Sequence, residues 1–298
     1  PITKFAYTAK APISRDDIKG LIELSKSGRK GPVFLEFCLD VTGANYQDDS
    51  THAEIIYPIE KRPTIDELNM SKILELLRSS KRPIFLFGGG LDKELTKARY
   101  QDLVDFGVPI ATTWNGSDKF PSENDLYVGR PNTYGMRYGN VITQQADLLI
   151  AFGTRLGLQQ TGFNWQEFLP SGKLIQIEID ESELEKPNPT KYLKVQSWRE
   201  YVASVRKSLP LKDAANIASN NYVEPFDFVL ALQKLTIESD QIIPCSSGGA
   251  YTTMMQAFEL KAGQIMITDK GLASMGYGLS GAIGASLANP NARTILTE

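Results

Sequence analysis

Residues 270 to 288, KGLASMGYGLSGAIGASLA, carry no charge between Lys270 and Arg293 and place a small residue at almost every second position. KGLASM reads as an extended loop beside a helix N-terminus, where free backbone N–H groups and the helix dipole favour an anionic ligand. The helix is expected to begin near Met275 and to be buried. Gly276, Ser280, Gly284 and Ala288 lie four apart and form one small-residue stripe that lets another backbone come close. Glycine inside a helix costs about 1 kcal/mol relative to alanine, so Gly278, Gly281 and Gly284 imply tight packing. The plainer alternative is a packing helix with no ligand. A second glycine run, Gly88 to Gly90, follows an apolar strand and precedes a helix. GGGLDK is not a GxGxxG fingerprint, and a strand-to-helix turn often needs glycine for itself. Gln159, Gln160, Asn164 and Trp165 form a polar-aromatic loop that either faces substrate or is simply exposed.

Other chemistries are excluded by what the sequence lacks. One histidine, His52, and two distant cysteines leave almost nothing from which to build a His/Cys metal site. Cys38 and Cys245 sit in apolar runs and read as buried free thiols of a reducing cytoplasmic compartment. The net charge is -3, with no basic tract, so nucleic acid is not an expected partner. The quoted segment has too few large apolar groups for a membrane span. An apolar fraction of 42% and a charged fraction of 22% are those of an ordinary globular protein.

The elements that must position these residues alternate. Ser14 with Asp17 caps a helix to about Lys26, and PVFLEF gives a strand over Val33–Phe37. Thr64 caps TIDELNMSKILELLRSS. PIFLFGGG, VPIATT, DLLIAFG and KLIQIEID are strands, with helices from about Asp92, over Asn140–Ala146 and in SWREYVASVRKSL. The alternation resumes with helix FDFVLALQKLTIE, strand QIIPCSS, a helix from about Gly249 to Leu260, and strands QIMITD and RTILTE. Strands apolar on both faces and separated by helices predict an α/β fold with parallel sheets covered by helices. Polar stretches at 43–63 and 209–225 read as linkers, dividing the chain into 1–42, 64–208 and 226–298. Both ends, PITKF and RTILTE, read as interior segments of a longer protein.

DKGLASMGYGLSGAIGASLANP resembles the segment of thiamine-diphosphate enzymes of the acetolactate synthase type that usually reads close to GGLGTMGFGLPAAIGA. SKSGRKGPVFLEFCLDV, RPIFLFGGG, VPIATTWNGSDKFP, DLLIAFGTRLG and IQIEID are similar to other segments of that family, in the same order. The resemblance spans essentially the whole chain. It implies the end of a pyrimidine-binding domain (1–42), a complete Rossmann-like central domain (64–208) and the start of a diphosphate-binding domain (226–298).

The resemblance also implies an activity: thiamine-diphosphate-dependent decarboxylation of a pyruvate-like 2-keto acid, with carboligation to a second carbonyl compound. A sugar or other non-pyruvate carbonyl is the alternative substrate, and a non-catalytic nucleotide-binding protein is the alternative class. Ala273 matches a position whose carbonyl accepts from the aminopyrimidine, where the family usually has glycine. Met275 matches the apolar wedge between the cofactor's two rings, with Ser274 between them. Ser247, Gly248 and Gly249, in SSGGA, match the loop that meets the diphosphate, although the family's Gln and His are absent. The catalytic glutamate would lie upstream of Pro1 and the Mg2+ ligands past Glu298, so no catalytic or metal residue is expected within the chain; Glu36 sits in the wrong strand. Positions matching the family's FAD site are Gly88, Gly89, Gly90, Thr113, Trp114, Gly153, Thr154, Arg155 and Glu178, but RLGLQ replaces a charged R-F-D-D-R run. An empty or ADP-holding domain therefore stands beside FAD. A homodimer or homotetramer is implied, with the small-residue helix near the interface.

Overall fold

The computed structural model describes residues 3–43, 55–56, 67–180, 183–184, 202, 206, 222–245, 247–269 and 273–298. The chain forms two compact units, 1–66 and 67–298.

In the first unit, β1 (Phe5–Ala9) pairs in parallel with β2 (Val33–Phe37) across helix α1 (Arg15–Lys26). Ser14 caps α1 as its sequence predicts: its Oγ accepts from the Asp17 N–H at 3.0 Å. Leu21 and Leu24 point inward onto Ala9 and Ile13. A four-residue turn, α2 (Leu39–Thr42), follows β2.

The second unit holds two parallel sheets. Helix α3 (Glu67–Ser79) leads into β3 (Pro83–Phe87), and α4 (Lys93–Ala98) and α5 (Tyr100–Phe106) into β4 (Ile110–Thr112). α6 (Arg137–Gln145) leads into β5 (Leu148–Phe152), and α7 (Leu158–Thr161) into β6 (Lys173–Ile177). The strand order is β4-β3-β5-β6. β3 and β5 are apolar on both sides because both sides are core. Ile84, Leu86, Leu149 and Ala151 pack on one face with Ile142 and Met136. Phe85, Phe87, Leu148 and Ile150 pack on the other with Ile110 and Tyr127. The third sheet, β8-β7-β9, contains β7 (Gln241–Pro244), β8 (Ile265–Met266) and β9 (Thr294–Thr297). Helices α8 (Pro225–Leu235), α9 (Gly248–Ala257) and α10 (Tyr277–Ala288) flank it.

Several expectations need correction. The helix expected from Asp92 starts there, with the Asp92 carboxylate accepting from the Leu95 N–H. It breaks at Arg99, and the second piece ends on Gly107 at φ +72°. α6 begins at Arg137, earlier than expected, and QIMITD supplies only two strand residues. The larger correction is α10. It starts where expected but is not buried: only Gly278 and Ala285 are, while Leu279, Ile283 and Leu287 are exposed. The helix rests on β7 and β9, but its expected small-residue stripe, Gly276, Ser280, Gly284 and Ala288, is exposed, and a Cβ added at Gly276 or Gly284 would meet nothing within 4 Å. The cysteines are free, but both are half-exposed rather than buried. The Thr64 cap, His52, Ser246 and most of the helix and linker expected over 197–225 lie outside the described residues.

Candidate functional site

β7 and β8 are parallel neighbours, so the segments that follow them emerge on the same edge of the third sheet. One is Ser247–Gly249 and the other is Asp269–Gly276.

Ser247 is extended (φ -153°) and its side chain makes no capping bond to α9. Gly248 sits at φ +79°, a conformation that favours glycine. A Cβ added at Gly248 or Gly249 would meet nothing within 4 Å. A ten-residue helix therefore starts with its first-turn N–H groups uncapped by a side chain and open. That fits a phosphate group, which the amides and the dipole both favour.

Across the edge, Asp269 organises the second segment. Its carbonyl accepts from the Ala273 N–H at 2.7 Å and its carboxylate from the Ser274 N–H at 3.0 Å. Ala273 is held at φ +53°, the left-handed conformation the usual glycine would adopt freely. Met275 is 93% exposed, and Gly276 (φ +84°) begins α10. Lys270, Gly271 and Leu272 lie outside the described residues. The two segments are tied below the edge by the Thr268 and Tyr251 hydroxyls, 3.3 Å apart. Burial holds the Tyr251 phenol protonated far above its ordinary range, offset in part by the Thr268 bond.

The nine residues proposed for FAD gather at the C-terminal ends of β3, β4 and β5 and beyond β6, but several are committed to packing. The Gly88 N–H donates to Phe152 O at 2.8 Å and the Gly90 N–H to Gly153 O at 2.9 Å. A Cβ on Gly88 would stand 2.2 Å from Gly153 O. The two strand-end turns thus touch backbone to backbone, which accounts for the glycines without a ligand. Thr113 caps a short 3-10 turn through the Gly116 N–H at 3.1 Å. Trp114 is 2% exposed, its ring edge-on to Tyr251 at 5.3 Å inside the third sheet's core. Thr154 is buried; Arg155 pairs with Glu183 at 2.8 Å, and Glu178 accepts from the Ile179 N–H. Gly89, Gly90 and Arg155 remain at the exposed rim. Among the described residues no group of three or more His, Cys, Asp or Glu could hold a metal ion, and no helix is long and apolar enough to cross a membrane.

The polar-aromatic loop is divided between packing and exposure. Gln160 is buried, its amide bonded to Pro131 O, while Gln159 and Asn164 are exposed and Trp165 half-buried. Gln160 and Asn164 line an open pocket of ≈ 440 Å³ with Asn132, Thr143 and Gln144.

Sequence reasoning passed over Arg130. It lies in the loop between β4 and α6, where no periodicity marks it, yet it is fully buried. Its Nε donates to Met255 O at 2.9 Å and an Nη to Phe258 O at 2.6 Å, at the C-terminal end of α9. The other Nη donates to the Tyr127 hydroxyl at 3.2 Å. Lys93 makes a second link, donating to Gln264 O at 2.8 Å beside Asp118. Burial pulls its pKa down, partly countered by Asp118.

The central domain of thiamine pyrophosphate enzymes matches residues 70–204, and their C-terminal TPP binding domain matches 247–297. A probable acetolactate synthase large subunit of Methanocaldococcus jannaschii is 27% identical, over 99% of this chain and 55% of its own length. The acetolactate synthase isozyme 1 large subunit of Escherichia coli K12 is 26% identical over the same shares, 99% and 55%. The chloroplastic acetolactate synthase of Arabidopsis thaliana is 27% identical over 98% of this chain and 47% of its own. The chain spans about half the length of the curated relatives it matches.

Proposed function

We propose that this chain, which belongs to the thiamine pyrophosphate enzymes, holds part of a thiamine diphosphate site. The reaction served is decarboxylation of a 2-keto acid with transfer of the remaining fragment to a second carbonyl compound. The supporting observation is the paired arrangement on one sheet edge: an uncapped helix start at Gly248, and a left-handed Ala273 next to an outward Met275. The cofactor, when bound, supplies a nucleophilic carbon and an electron sink for the carboxylate's departure.

In this reading the chain's residues bind and shape rather than transfer protons. The Gly248 and Gly249 amides hold the diphosphate, with Ser247 and Ser274 beside it. The Ala273 carbonyl would accept from the aminopyrimidine, and the soft thioether of Met275 would pack against the cofactor's rings. The activating glutamate and the Mg2+ ligands are proposed for the part of the relatives' length that this chain does not span. Residues 1–42, 64–208 and 226–298 then correspond to the end of the pyrimidine-binding domain, the central domain and the start of the diphosphate-binding domain. A homo-oligomer fits the exposed apolar side chains of α10, and a cytoplasmic setting fits the free thiols. Because the strand-end glycines are accounted for by backbone contact, the central domain enters this reading as scaffold, without FAD.

The test is carbon dioxide release from pyruvate by the full-length protein, with and without added thiamine diphosphate and Mg2+. Met275→Ala should lower turnover at least tenfold and leave the melting temperature unchanged, because an outward side chain contributes little to folding. Absence of cofactor-dependent release from pyruvate and other 2-keto acids refutes the activity. Full turnover in the Met275 variant refutes the placement of the rings.

A further inference from the structure

Arg130 is a buried cation. It is 0% exposed, and among the described residues no carboxylate lies within ion-pair distance of it. A buried charge is ordinarily paired, because desolvation costs more than a lone partner returns. Here the compensation is two carbonyl oxygens at the negative end of α9 and one phenol. A neutral residue could fill the same space and cross-link the same loops. A charge does something more, because its field runs along the helix axis through protein, where counter-ions do not screen it. The other end of α9 is the open, uncapped turn at Gly248 and Gly249.

We infer that Arg130 is a positioning residue for the diphosphate at the far end of α9. It fixes the helix against the loop between β4 and α6, and it adds its positive charge to the field the helix presents to the anion. The inference rests on the thiamine diphosphate reading above and names a contribution to that site from a residue that never touches it. A ten-residue helix is about 15 Å long. At that distance and an effective dielectric near 20, one charge changes the dissociation constant of the anion about sixfold for each unit of its negative charge.

The experiment is calorimetric titration of the full-length protein with thiamine diphosphate and, separately, with inorganic pyrophosphate, each with Mg2+, alongside melting temperatures. Arg130→Met, which removes the charge, should weaken both ligands about sixfold or more. Arg130→Lys, which keeps the charge but loses the fork, should stay within about twofold of the parent while losing thermal stability. Gln256→Glu places an offsetting charge in the same last turn at a half-exposed position. It should weaken both ligands about twofold with Arg130 intact, and it serves where the Met variant does not fold. Unchanged affinity in folded Met or Glu variants overturns the inference and leaves the cofactor reading standing. So do equal losses in Met and Lys that track their stabilities. A parent protein that binds neither ligand removes the cofactor reading and this inference together.

Discussion

Replacing Trp114 with alanine separates a packing role from a ligand-facing one. The indole is 2% exposed and sits among Val229, Ile242, Tyr251 and Met254, edge-on to Tyr251 at 5.3 Å. A buried tryptophan removes about 200 Å² from water, or ~5 kcal/mol at 25 cal/mol per Å². Alanine keeps the Cβ and some of that area, so a loss of ~3–5 kcal/mol is expected, including the aromatic pair. The assay is urea unfolding followed by far-UV circular dichroism. The visible spectrum of the purified protein, with and without added FAD, is recorded for both versions. A destabilised variant whose spectrum matches the parent's is the expected result. A loss below about 1 kcal/mol, together with flavin absorbance in the parent that disappears in the variant, would mean that the ring faces a flavin and that its burial has been misread.

Two further substitutions test particular bonds. Asp240 is fully buried and accepts from Arg293 Nε at 3.0 Å, from an Arg293 Nη at 2.7 Å and from the Ile237 N–H at 2.7 Å. Burial alone would raise its pKa, but the Arg293 and Ile237 bonds outweigh that and hold it below the ordinary carboxylate value. A depressed carboxyl stabilises above its unfolded pKa near 4 and loses that contribution as pH falls through the folded value. Asp240→Asn should therefore cost ~2 kcal/mol at pH 7 and flatten the acid limb of the stability profile below about pH 4; an unchanged acid limb would contradict the assignment. Ala273→Gly relieves a left-handed alanine worth ~1–2 kcal/mol but adds ~0.5–1 kcal/mol of unfolded-state entropy. The melting temperature should hold or rise slightly, and a drop equivalent to more than about 1 kcal/mol would argue against φ +53° at that residue.

The strands were readable from the sequence because a buried parallel strand is an apolar run with little else in it. PIFLF, LLIAF and QIIP fall where expected, and Ser14 with Asp17 marks α1 by hydrogen-bond chemistry local enough to read directly. The α4–α5 break was not readable. Nothing in LDKELTKARYQDLVDF marks Arg99, and the turn there answers to packing with Tyr100 and Leu103 in the core. α10 misled for a different reason. Small residues report that something can approach closely, not that this chain supplies it. The pairing of Ser247–Gly249 with Ala273–Met275 came from resemblance, and its physical ground is topological: parallel neighbours deliver their following loops to one edge. Arg130 could not be found from composition, since its meaning depends on two carbonyls more than a hundred residues away.

The three sheets formed by the described residues pair in parallel throughout, and this bears on the order in which the protein can assemble. Among the described residues no strand closes onto its neighbour through a tight hairpin; each pairing waits for a crossover, and Gln241 meets Thr294 only 53 residues later. In both sheets of the second unit an inner strand, β3 or β7, emerges from the ribosome before either of its neighbours. Each first strand must therefore wait, apolar on both faces and unpaired on both edges, until the chain that will cover it has been made. Folding should be slow relative to helical proteins of this size, and the waiting strands are where chaperones or aggregation would intervene.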